Sequence, residues 1–125
     1  MLGILLALTS QATVVSPVTH ASLPSPISHY ISPLDYPAEA IPQRAEGRVE
    51  LTLAIDATGR LTACTVRKSS GWPVLDAATC RILLRRAKFN PARDAFGHPM
   101  GDVIETGIDW HMPPPDLLRH LAPRG

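Results

Sequence analysis

Two cysteines, Cys64 and Cys80, are the side chains of this 125-residue sequence best suited to covalent chemistry. Their spacing is not CxxC, so a thioredoxin-type redox centre is not expected. A single pair suits one structural bridge in an exported protein, and we expect a Cys64–Cys80 disulfide. The alternative is two buried free thiols, as in cytosolic domains. Five histidines, His20, His29, His98, His111 and His120, are scattered without helical metal-ligand spacing, and no HExxH occurs. They read as solvated imidazoles, with no metal site and no cofactor. Ser69-Ser70 lacks the G-x-S-x-G elbow of a nucleophilic serine, and no glycine loop cradles phosphate. No acid, base and nucleophile converge in the pattern, so no catalytic residue is assigned and an exported hydrolase is disfavoured. Arg81, Arg85, Arg86 and Lys88 form a basic cluster. It reads as a solvated helix end, with an acidic partner surface as the alternative. A net charge of +1 argues against a broad grip on nucleic acid.

The elements that would position these residues occupy the middle of the chain. Prolines crowd the two ends, and between Gly47 and His111 only Pro73, Pro91 and Pro99 remain. That pattern marks one compact core between irregular tails. Leu2 to Leu8 is apolar, and the first charged residue is Asp35. The run is shorter than the roughly 20 residues of a membrane span and suits the core of a secretory signal over residues 1–21. Ser10-Gln11-Ala12 and Thr19-His20-Ala21 are both candidate cleavage sites. Against this, no Lys or Arg stands near Met1. The rival readings are a disordered tail and a start codon placed too far downstream. Residues 22–33 then read as a Pro/Ser-rich linker and 113–125 as a flexible tail, with one helical turn in DLLRHL.

Within the core, Tyr36-Pro37 leads into a short helix that Pro42 limits to a turn or two. In GRVELTLAID, Val49, Leu51, Leu53 and Ile55 alternate with Glu50, Thr52 and Ala54, the pattern of a half-buried strand. DATGR supplies a hairpin turn at Gly59. A second strand, LTACTVRK, would place Thr62, Cys64 and Val66 on one face, with Leu61 out of phase and a bulge near the turn. After Ser69-Ser70-Gly71, a helix is predicted from Val74 to Ala87. Leu75, Ala78 and Ile82 form its stripe, flanked by Ala77, Cys80, Leu84 and Ala87. Its basic end complements the helix dipole. Phe89 anchors the exit, and Asn90-Pro91 stops the helix. RDAFGHPMGD reads as a loop turning at Gly97. In DVIETGIDWHM a last strand would turn Ile104, Thr106, Ile108 and Trp110 to the core and Val103, Glu105, Gly107 and Asp109 outward. Trp110 would pack under the helix, while Trp72 would be exposed as a partner contact. The fold class is α+β: short helix, strand, strand, helix, strand, with one main helix on a three-stranded antiparallel sheet. Cys64 on the inner face and Cys80 on the helix would then tie the two layers together.

Tyr36-Pro37, Gly47 with Val49, Asp56 and Gly59, Ser69-Ser70-Gly71, Leu75-Asp76, and Phe89 with Pro91-Ala92, in that order and spacing, resemble the C-terminal domain of TonB-family proteins. The resemblance covers about residues 34–112, which it implies are one TonB C-terminal-like domain; the cysteine pair is not part of the general pattern. The resemblance implies a non-enzymatic periplasmic binding domain in energy-coupled uptake of siderophores, vitamins and similar ligands. It implies that a TonB-box-like segment of an outer-membrane transporter adds as a strand along Val103, Ile104, Glu105, Thr106, Gly107, Ile108, Asp109 and Trp110. Gly107 would suit close backbone approach. Alternatively, Glu105 and Asp109 keep an ordinary edge from pairing. The family's full transducers also contact inner-membrane motor proteins through a membrane helix and a long spacer. Here the spacer SLPSPISHYISPLDY reaches only about 45 Å when extended. Ser16 and His20 have the transducer helix's Ser-x-x-x-His spacing, but Pro17 interrupts it. The alternative function is therefore a free envelope adaptor or scaffold, homodimeric through its strand edges and not coupled to the motor.

Overall fold

A computed structural model of the chain describes residues 18–121. Most of the expected signal peptide, with Ser16, lies outside them. Strand β1 (Gly47–Ile55) is the centre of a three-stranded antiparallel sheet, with β2 (Leu61–Lys68) on one side and β5 (Asp102–Trp110) on the other. Helix α1 (Pro73–Arg86) lies against β2 and β1. The expected loop after α1 contains a small hairpin, β3 (Ala92–Arg93) and β4 (Pro99–Met100), turning at Gly97. The predicted α+β architecture is present.

The alternation of β1 is realised in full: Val49, Leu51, Leu53 and Ile55 are buried, and the residues between them are not. A fully buried Leu or Val contributes about 1.5–3 kcal/mol relative to an exposed one, so this strand is the floor of the core. Leu75, Ala78, Ile82 and Leu83 of α1 close over it. At the β1–β2 turn, Gly59 has φ +88°, and a Cβ there would lie 2.1 Å from the Phe89 carbonyl oxygen. That carbonyl lies close because Phe89 N–H donates to Gly59 O at 2.9 Å. The predicted bulge is also present. Leu61 pairs with Ile55 and Ala63 with Ala54, which leaves Thr62 between them. The bulge resets the phase, so Leu61 is buried and Thr62 is exposed, donating to the Ala54 carbonyl at 3.1 Å. This corrects the placement of Thr62 on the inner face with Cys64 and Val66.

The predicted short helix is a 3₁₀ turn, Ala38–Ala40, continued by a turn around Pro42. Helix α1 begins one residue early, with Pro73 in its first turn, and has no side-chain cap at Trp72. The Asp76 carboxylate instead gathers the loop before it. It accepts from Ser69 Oγ, from Ser70 N–H at 2.9 Å and from Ser70 Oγ at 2.7 Å. Burial raises the Asp76 pKa, and these donors outweigh it, leaving the carboxyl below its usual range. A group depressed in this way stabilises the fold above the ordinary carboxylate pKa and loses that contribution as pH falls through the folded value. Asp76→Ala should therefore cost about 1 kcal/mol at neutral pH, the net worth of a hydrogen bond, and less below about pH 4. Urea unfolding across pH checks this. A cost that does not shrink in acid would assign the effect to something other than the carboxylate.

Residues 18–33, expected in part as linker, lie against the domain. Thr19 exchanges backbone hydrogen bonds with Arg93, and Ser22 does so with Asn90. Ala21 is buried, and Leu23, Ile27, Tyr30 and Ile31 pack on the core. At the other end, Pro115–Leu121 is a second helix, α2, which contacts the 3₁₀ turn Pro33–Asp35.

Candidate strand-docking edge

The expected docking strand is the edge strand β5. Its register with β1 runs without interruption from Gly47↔Trp110 to Ile55↔Asp102. Among the described residues no strand pairs with its other side. The opposite edge, β2, is irregular. Its register with β1 shifts twice, and it ends in Arg67-Lys68. Bulges and cations are the devices that protect a sheet edge from added strands. The sheet therefore has one straight edge and one broken edge.

Alternation along β5 follows the expected phase. Ile108 and Trp110 are buried, Trp110 against Thr79 of α1 and Tyr36, Ile104 and Thr106 are half-buried, and Val103, Glu105 and Asp109 are exposed on the open face. Gly107 also lies on the open face, where its missing side chain leaves room for Arg48. A Cβ at Gly107 would lie 2.4 Å from the Arg48 guanidinium. Arg48 crosses it to reach Asp109 at 3.0 Å. The glycine thus admits a side chain of its own sheet. Arg67 of β2 bonds Glu50 at 2.6 Å and stands 3.6 Å from Glu105.

Two shallow clefts flank the C-terminal half of this edge. One, of about 280 Å³, is lined by Ser28, Ile31, Gly107, Ile108, Asp109 and His111. The other, of about 200 Å³, lies between Ile31–Pro33 with Tyr36 and Asp109–His111. Their outer wall is the segment before Tyr36, held by an ion pair. Arg86 at the end of α1 donates to both Asp35 oxygens, at 2.7 and 2.8 Å, and to the Tyr30 carbonyl at 3.3 Å. The Arg86 guanidinium holds the Asp35 carboxyl below its usual range against partial burial, and Ser32 adds to it. At the start of β5, Asp102 accepts Ala21 N–H at 2.8 Å and faces His20 Nδ1 at 3.1 Å. The Ala21 amide, more than His20, lowers the Asp102 pKa.

Cys64 and Cys80 form the expected disulfide, with Cα atoms 5.5 Å apart. Trp72, expected exposed, is half-buried against the core. Of the expected basic cluster, Arg86 is committed to Asp35, while Arg81, Arg85 and Lys88 are exposed. Sequence reasoning missed three participants: the Ala21–Asp102 anchor, Ile31 beside the edge, and Thr79. Ile27, Tyr30 and Ile31 have one-sided helical spacing, a signal that the surrounding prolines obscured. Among the described residues, no group of three or more His, Cys, Asp or Glu side chains could hold a metal ion. No helix there is long and apolar enough to cross a membrane.

No curated protein matches the chain. The family model described as the Gram-negative bacterial TonB protein C-terminal matches residues 32–111. Domains of that family are periplasmic, non-enzymatic and associated with energy-coupled transport. The matched stretch contains the three-stranded sheet, α1 and the straight edge of β5, and the chain belongs to the TonB C-terminal family.

Proposed function

We propose that this domain captures an extended segment of a TonB-dependent outer-membrane transporter by strand addition along Val103–Trp110. The observation that carries the reading is the asymmetry of the sheet. The β5 edge is regular over its whole length and, among the described residues, pairs with no strand on its outer side, whereas the β2 edge is bulged and basic. Strand addition draws affinity from main-chain hydrogen bonds, which need a straight run of unpaired N–H and C=O groups. Selectivity comes from the side chains that alternate along that run. The family's association with energy-coupled transport supplies the partner class. The clefts beside Gly107–His111 offer space for side chains at one end of the added strand.

Amide hydrogen exchange tests this reading. A saturating transporter-derived peptide should slow exchange at those amides of residues 103–110 that point away from β1, with little change along β2. Protection along β2 instead, or none on β5 at saturation, would overturn it.

A further inference from the structure

The β5 edge is chemically one-sided. The strand carries Asp102, Glu105 and Asp109 and no Lys or Arg. Asp102 is occupied by the Ala21 amide and His20. Glu105 and Asp109 stand on the open face with 63% and 54% of their side chains exposed. Asp109 is bonded to Arg48. Glu105 shares one guanidinium with Glu50: its Oε1 lies 3.6 Å from Arg67 Nε, while Glu50 takes the closer 2.6 Å contact. Glu105 is therefore the least compensated charge along the edge. On the other face its neighbours Ile104 and Thr106 are half-buried and border buried Ile108.

A strand added to an edge sets its side chains about 5 Å from those of its neighbour on the same face. Resting on the strand-addition reading above, we propose that the segment accepted here alternates two chemistries. Apolar side chains face the α1 side, beside Ile104 and Thr106. Lys or Arg stands on the open face, beside Glu105. The same charge pattern disfavours a second copy of this chain. Two β5 strands brought together contribute carboxylates from both sides and no Lys or Arg of their own, since Arg48 and Arg67 are already held by Asp109, Glu50 and Glu105, and like charges across strands are destabilising. Glu105 thus sorts partners: it selects a cationic segment and rejects the protein's own edge.

The test uses the full chain and three alternating Val/Thr peptides that differ at one open-face position, Lys, Gln or Glu. At low salt the Lys peptide should bind about fivefold tighter than the Glu peptide, with Gln between. Glu105→Gln should remove the preference and Glu105→Lys should reverse it. At about 1 M salt, where screening acts within roughly 3 Å, the differences should collapse. Amide exchange of β5 is followed in parallel. Equal affinities with β5 protected would overturn the charge rule while leaving strand addition standing. Absence of β5 protection with every peptide would overturn strand addition and the charge rule with it. A preference that survives unchanged in Glu105→Lys would assign the selectivity to another residue and overturn the role given to Glu105.

Discussion

Opening the Cys64–Cys80 bridge should lower the melting midpoint by roughly 12–24 °C. The expectation begins with how little β2 contributes to the core. Leu61 is its only buried residue; Cys64 is half-buried and Val66 is 36% exposed. An edge strand with so small an apolar face gains little from the helix above it. The bridge supplies what packing does not. It joins Cys64, paired across from buried Leu53, to Cys80 on α1, with a sequence separation of 16. In the chain-entropy account, closing a loop of about that length restrains the unfolded chain by about 3 kcal/mol. For a domain of this size, 1 kcal/mol shifts the midpoint by about 4–8 °C. Calorimetry of the oxidised protein, the reduced protein and the Cys64→Ser/Cys80→Ser double variant checks this. The reduced and double-variant midpoints should fall together. A midpoint indifferent to reduction would show that α1 holds β2 by packing alone.

How legible this architecture was in the sequence depended on whether each element repeats a simple period. β1 buries every second residue, and its alternation is visible because both its neighbours are strands and one face is wholly covered. β5 keeps the same phase, so the inward set ending in Ile108 and Trp110 was readable. β2 was harder. A single extra residue at Thr62 inverts the face of everything before it, and the sequence signals the break but not which side Leu61 will take. In α1 the stripe through Leu75, Ala78 and Ile82 was clear, while Leu83 and Thr79 were not, because the helix is buried over a wider arc than one stripe. The N-terminal segment was least legible. Its contacts come from short 3₁₀ turns and two isolated bridges, and the only spacing they leave, Ile27, Tyr30 and Ile31, is too short to stand out among the prolines. The candidate docking edge lies between these extremes. Its residues could be named from the strand pattern and the family resemblance. The features that distinguish it, the broken β2 edge and the pairing of Arg48 across Gly107, are relations between strands.

Trp110→Ala should be the most damaging single substitution in the domain, at about 3–5 kcal/mol, a large fraction of the 5–15 kcal/mol typical of a folded domain. The indole is 3% exposed at the end of β5. It meets the Tyr36 ring edge-on, with centroids 5.3 Å apart, while the Tyr36 hydroxyl donates to the Ala45 carbonyl. Its Nε1–H donates to Thr79 Oγ1 at 2.8 Å, and Thr79 in turn donates to the Leu75 carbonyl at 2.7 Å. One side chain therefore joins β5, the helix and the segment that walls the clefts. Truncation removes packing from all three and loosens the C-terminal half of the edge, so peptide protection of β5 should fall with stability. The hydrogen bond can be separated from the packing. Thr79→Val leaves the indole N–H buried without an acceptor and should cost about 1–3 kcal/mol. In a Trp110→Phe background, where that N–H is gone, Thr79→Val should cost less. The difference, read from urea unfolding in a double-mutant cycle, should be at least about 0.5 kcal/mol. Strict additivity would show that the Trp110–Thr79 bond adds nothing beyond burial, and the cost of Trp110→Ala would then rest on packing alone.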